Sequence, residues 1–183
     1  EHTVSIGAEE SGTERNATQI LEFAGMPSSL VATKNLDYIE ATKELKAGDI
    51  DAFFCTAGLT TTVIDELSKE CDIRLIPLTD TVISKMLESS LAYTSEVIPA
   101  GTYTGQTTDI NTIGVKSVLI TKADVSDDTI EQLTSLLFEK ENEISYSNSL
   151  KLELTYDFAT DDIPIPFHDG AKRYYKACGY STN

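Results

Sequence analysis

Three short segments of this chain place hydroxyl, amide and glycine residues where a small anion could be held. Ser11-Gly12-Thr13 follows a short strand signal and opens a helical pattern. A helix N-terminus presents unpaired N–H groups and a partial positive charge, so a carboxylate or phosphate is attracted there. Gly12 lets the backbone approach a ligand closely, and the two hydroxyls add donors. The alternative is that Ser11 or Thr13 only caps the helix. Thr56-Ala57-Gly58 stands at a second strand-to-helix junction, with an ordinary βα turn as its alternative. Tyr103, Thr104 and Gln106 lie in a glycine-rich stretch, where an aromatic ring and an amide line a pocket or merely decorate a surface crossover.

Catalytic chemistry finds less support. His2 is near one end and His168 follows Pro166-Phe167 ahead of a helix, so no Ser-His-Asp constellation is legible. No nucleophile elbow, Walker loop, zinc-protease motif or dinucleotide fingerprint occurs. The acid pairs Glu9-Glu10, Asp127-Asp128 and Asp161-Asp162 read as solvated loops or helix starts. Cys55, Cys71 and Cys178 are odd in number and lack the spacing of a zinc site or disulfide framework. The expectation is a protein that is not an enzyme and carries no cofactor or metal. Asn16-Ala17-Thr18 matches the glycosylation sequon formally, but falls within a predicted helix.

The elements that must position these residues alternate. Val4-Ser5-Ile6 predicts a strand, and Ala17, Ile20, Leu21 and Ala24 recur at helical spacing. Ser11 and Glu14 fit a capping box, and Gly25 and Pro27 supply a stop. An extended stretch around Leu30-Val31-Ala32, a helix over 38–47 closed by Gly48, and a buried strand over Ile50–Cys55 follow. Val63, Ile64 and Leu67 mark the core side of the next helix. Ile73–Ile76 predicts a strand ended by Pro77, and Asp80 opens a helix carrying Val82, Ile83, Met86 and Leu87. Residues 99–112 read as a polar, turn-rich loop, Ile113–Thr121 as a strand, and Asp127 as the start of a helix with Ile130, Leu133 and Leu137. A last helix spans about Gly170–Ala177. Strand and helix in alternation predict an α/β fold with a parallel sheet covered by helices. Ligands of such sheets bind outside the carboxyl ends of the strands, where the Ser11 and Thr56 loops both lie.

Composition narrows the partners. The 183 residues suffice for one domain or two small lobes, and 40% apolar content supports a core. No apolar run approaches a membrane span, so a membrane-inserted segment is not expected. A net charge of −16, spread along the chain, argues against nucleic acid or an anionic membrane surface as the main partner.

Four motifs in order resemble the TAXI-type solute-binding proteins, the extracytoplasmic receptors of TRAP transporters. They are Val-Ser-Ile-Gly-Ala-Glu-Glu-Ser-Gly-Thr-Glu at 4–14, Gly-Asp-Ile-Asp-Ala-Phe-Phe-Cys-Thr-Ala-Gly at 48–58, Ile-Pro-Ala-Gly-Thr-Tyr-Thr-Gly-Gln at 98–106 and Ile-Pro-Ile-Pro-Phe-His-Asp-Gly-Ala-Lys-Arg-Tyr-Tyr at 163–175. The resemblance implies a periplasmic-binding-protein-like fold of type II, with a small carboxylate held between two lobes whose closure presents it to a membrane permease. It implies a glutamate-like amino acid or a dicarboxylate as ligand, a TRAP permease as partner, and a periplasmic or extracellular location, free or lipid-anchored. The implied ligand contacts are Ser11, Gly12 and Thr13, which match the family's Gly-Ser-Gly-Thr loop, and Thr56, Ala57 and Gly58, which match its Thr-Gly-Gly loop. Tyr103 and Gln106 match its Gly-Thr-Tyr-Pro-Gly-Gln segment.

The chain departs from the family at Glu10 and Ala57, where Gly is usual, and at Thr104, where Pro is usual. Family members are longer at the N-terminal side. Residues 4–112 are therefore expected to form the second lobe, and 113–183 the hinge strand and the C-terminal segment returning to the first, leaving half a cleft. Two other classes share this bilobal architecture, the effector domains of bacterial transcription regulators and enzymes built on the same fold. The first needs a helix-turn-helix segment, the second paired ionisable residues facing the ligand.

Overall fold

The computed structural model describes residues 2–26, 29–139 and 154–182, and it divides into two compact units, Glu1–Gly114 and Val115–Asn183. In the first unit, strand β1 (His2–Ser5) leads to helix α1 (Gly12–Phe23), β2 (Val31–Lys34), α2 (Tyr38–Ala47), β3 (Ala52–Phe53) and α3 (Thr62–Glu70). Helix α4 (Asp80–Ser89) and strands β4 (Tyr93–Ile98) and β5 (Ile110–Val115) complete it.

Strands β1, β2 and β3 form a parallel sheet in the order β2-β1-β3, with Val4 opposite both Thr33 and Ala52. Parallel neighbours need a crossover, and α1 and α2 supply the two. Helix α1 packs with α4, and α2 with α3 and β3. The apolar positions read at helical spacing explain this: Ala17 and Leu21 meet Ile6, and Ile20 meets Val82 and Met86 in a cluster that Phe54, Leu78, Tyr93 and Ile113 complete. Met86 is fully buried there.

Two capping arrangements set the helix starts beside the sheet. Ser11 Oγ accepts the N–H of Glu14 at 3.1 Å, as its spacing predicts. The reciprocal bond goes one residue further back, since Glu14 Oε2 accepts from the N–H of Glu10 at 2.6 Å. The complete capping box is at α2, where Asp37 and Glu40 each accept the other's backbone N–H. Gly48 closes α2 in the left-handed region, at φ 81°.

The structure corrects several of the predicted elements, and the buried strand expected over Ile50–Cys55 is the two half-buried residues of β3. Ile73–Ile76 forms no strand; Pro77 lacks a donor, and just beyond it the Leu78 N–H donates to the Asn111 carbonyl of β5 at 2.9 Å. The strand predicted over Ile113–Thr121 is β5, which begins at Ile110, inside the predicted 99–112 loop, and stops at Val115. Its partner β4 has only six residues, so the ladder has no support beyond that length. Strand β4 itself is additional, and with β5 it makes a separate two-stranded sheet rather than an extension of the parallel one.

The second unit contains α5 (Asp127–Glu139), the short α6 (Tyr156–Thr160), not anticipated from sequence, and α7 (Asp169–Ala177). Helices α5 and α7 meet closely at their N-termini, where a Cβ on Gly170 would overlap the backbone of Asp127. Arg173 ties the same ends together, donating to Asp128 at 3.0 Å and lying 3.5 Å from Asp127 and Glu131. Tyr156 stacks on Phe138 and Tyr180, at centroid distances of 4.4 and 4.9 Å, and forms an aromatic core with Tyr174 and Tyr175. Burial, then its bond to Tyr156, pushes the Tyr174 hydroxyl well above the ordinary range. Among the described residues no helix is long and apolar enough to cross a membrane.

Candidate functional site

The strand order β2-β1-β3 contains a reversal. The chain leaves β1 for β2 on one side and then crosses to β3 on the other, so the loops after β1 and β3 diverge from adjacent strand ends. Such a switch point is where open α/β sheets hold ligands. The loop after β1 ends at Ser11, where α1 opens on Gly12-Thr13, and the loop after β3 carries Thr56-Ala57-Gly58.

The two loops are bonded to one another through Tyr38. Its hydroxyl accepts the N–H of Thr56 at 3.0 Å, donates to the Thr56 carbonyl at 2.9 Å, and lies 2.9 Å from Thr13 Oγ1. Tyr38 opens α2, directly after the Asp37 cap, so the capping box fixes where its ring emerges. A second tie comes from α1, where Asn16 Nδ2 lies 3.4 Å from Thr56 Oγ1. Tyr93 donates to Asn16 Oδ1 at 2.9 Å and holds that amide in the orientation that turns its nitrogen to Thr56.

The predicted residues divide between these loops and an internal brace. Thr56, Ala57, Gly58 and Gly12 are exposed, Ser11 is half-buried and Thr13 is buried with its hydroxyl on Tyr38. A Cβ at Gly12 would meet nothing within 4 Å, so the open space above it belongs to solvent or ligand. Tyr103 is buried, and its hydroxyl accepts from Thr61 N–H at 3.3 Å, just beyond the Thr56 loop. Gln106 directs its amide nitrogen to the carbonyls of Ile98, Pro99 and Thr108, and its oxygen accepts from Tyr103 N–H at 3.3 Å. These two residues brace the 99–109 segment and, through Tyr103, the start of α3. Tyr38, Asn16 and Tyr93 were not among the expected site residues; the Asp-x-x-Glu cap before α2 is the signal that places Tyr38 at the same sheet edge.

Charge at the loops is negative. Glu9 and Glu10 are exposed, and Glu14 Oε1 accepts from Asn35 Nδ2 at 2.8 Å. Glu10 is left-handed at φ 61°, a region that favours glycine. Burial pushes the Cys55 thiol up from its ordinary value, an effect the nearby Tyr38 hydroxyl partly offsets, so Cys55 sits beside the site as a neutral group. His168 is in the other unit, capping α7: Nδ1 accepts from Gly170 N–H at 3.1 Å, which leaves Nε2 as the protonated nitrogen facing the Val125 carbonyl at 3.1 Å.

The family model of the NMT1-like family matches residues 1–179. The chain belongs to the NMT1-like family. This is a periplasmic-binding-protein-like family, and the mixed α/β architecture with seven helices among the described residues and small sheets is compatible with it. Membership in the NMT1-like family points to a solute-binding role for the chain.

Proposed function

We propose that this NMT1-like chain is an extracytoplasmic receptor that holds a small carboxylate, a glutamate-like amino acid or a dicarboxylate, and delivers it to a TRAP-type membrane permease. The observation that carries the reading is the bonding of two exposed, hydroxyl-bearing loops to one another at the sheet's switch point through Tyr38. The N–H groups at the start of α1 and the Ser11 and Thr56 hydroxyls suit the oxygens of a carboxylate. On this reading the protein performs no chemistry: it binds and releases.

In the same proposal residues 4–112 form one lobe, the second of the receptor, and residues 113–183 return to the other lobe of a type II binding-protein fold. Val118, Leu119 and Ile120 support this. They are 43%, 69% and 74% exposed, consecutive, and β-prone, as a strand destined for another lobe's sheet would be.

The test is thermal stabilisation of the whole protein across L-glutamate, related amino acids, succinate and other dicarboxylates. A ligand present at about 100 times its dissociation constant should add ~2.7 kcal/mol. No shift with any small carboxylate would sink the proposal.

A further inference from the structure

We infer that Tyr38 is the positioning residue of the binding site, a clamp that sets the spacing of the two ligand loops; this rests on the receptor reading above. The hydrogen-bond capacity of its hydroxyl supports the assignment. A phenol has one proton and two lone pairs. The Thr56 N–H can only donate, so it takes one lone pair, at 3.0 Å. The Thr56 carbonyl can only accept, so it receives the proton, at 2.9 Å. One lone pair remains for Thr13 Oγ1 at 2.9 Å, which must therefore be the donor. These three contacts on one oxygen join Thr13 at the start of α1, Tyr38 at the start of α2 and Thr56 in the loop after β3.

The arrangement also decides which hydroxyls are free for a ligand. Thr13 is buried and its proton is committed to Tyr38, so with the clamp closed it has no hydroxyl hydrogen for an anion. Ser11 differs: its oxygen accepts from Glu14 N–H, and its own proton has no acceptor among the described residues. Thr56 Oγ1 likewise accepts from Asn16 and keeps its proton. Ser11 and Thr56 thus supply the donors, one from each loop, and Tyr38 holds the two loops at a fixed separation. Prior fixing of donors is what lets a site bind without ordering loops at the moment of association.

The experiment is Tyr38→Phe in the whole protein, read by amide hydrogen exchange at Thr56 and by L-glutamate affinity, with Thr13→Val as a milder second variant. Losing the hydroxyl should speed Thr56 exchange about tenfold and weaken L-glutamate binding about tenfold, the scale of one net hydrogen bond. Thr13→Val leaves both Tyr38–Thr56 bonds in place, so its effect on Thr56 exchange should be about threefold or less. A merely structural tyrosine would lower the melting temperature and leave affinity, measured well below that temperature, unchanged. Unchanged Thr56 exchange or unchanged affinity in Tyr38→Phe overturns the inference. Failure of the wild-type protein to bind any carboxylate in the panel overturns the receptor reading and the clamp's part in binding, while the Thr56 exchange result still decides whether Tyr38 holds the loops.

Discussion

The carboxylate of Glu14 holds the backbone N–H of Glu10 at 2.6 Å, and Glu10 sits in the left-handed region at φ 61°. An L side chain is disfavoured there, while glycine adopts it freely. Glu10→Gly should therefore be more stable than Glu10→Ala by about 1 kcal/mol, because alanine keeps the strain and glycine removes it. Chemical denaturation of the two variants measures this; equal stabilities would mean that the turn relaxes without cost.

The same residue bears on ligand preference. Glu10 is exposed and negative beside loops that offer donors to a carboxylate. An ammonium group on the ligand would answer that charge, so amino acids should bind more tightly than plain dicarboxylates. Glu10→Gln should narrow the gap. Calorimetric titration with L-glutamate and succinate checks both statements, and equal affinities in the wild-type protein would count against them.

Gly12 separates folding from binding. It is the first residue of α1, and a Cβ there meets no atom within 4 Å, so Gly12→Ala should leave stability within about 0.5 kcal/mol of wild type or raise it slightly. If the ligand approaches the backbone closely, the added methyl should nevertheless weaken carboxylate binding severalfold. Unfolding curves and titrations on one preparation supply both readouts, and unchanged affinity would place the ligand away from Gly12.

Alkaline pH should loosen both units. Burial disfavours ionisation of Cys55 and Tyr103 in the first unit and of Tyr175 in the second, pushing the pKa of each up from its ordinary value. The fold favours the protonated form of each, so their contribution is complete below the ordinary values and is lost as pH rises through the raised ones. Melting temperature should fall as pH rises above about 8.5, the ordinary thiol value, and iodoacetamide should label Cys55 more slowly than the exposed Cys178. A flat profile, or equal labelling rates, would contradict this.

Much of the architecture was legible because the helices carry their own signals. Ala17, Ile20 and Leu21 recur at helical spacing and are buried; Ser11 caps α1 as its distance from Glu14 suggests. Strands were legible only where a partner exists. Ile73–Ile76 and residues 116–121 have strand composition, yet the described structure gives them no ladder, and pairing is a property of two segments rather than one. Strand β4 was missed because Thr94, Ser95 and Glu96 interrupt its apolar residues. The Ser11 and Thr56 loops could be named from local sequence; the tyrosine that joins them could not, since its bonds reach 25 residues back and 18 forward. Gln106 illustrates the opposite difficulty, for its amide suits a ligand and is wholly occupied by its own loop.

The central claim is that a small carboxylate sits on the two loops at the β1/β3 edge. Titrating L-glutamate into isotope-labelled protein and following backbone amide resonances tests it most directly. The account predicts the largest shifts at Gly12, Thr13, Thr56, Ala57 and Gly58, with small ones at Tyr103 and Gln106. Shifts confined to other regions, or none at saturating L-glutamate and succinate, would contradict it.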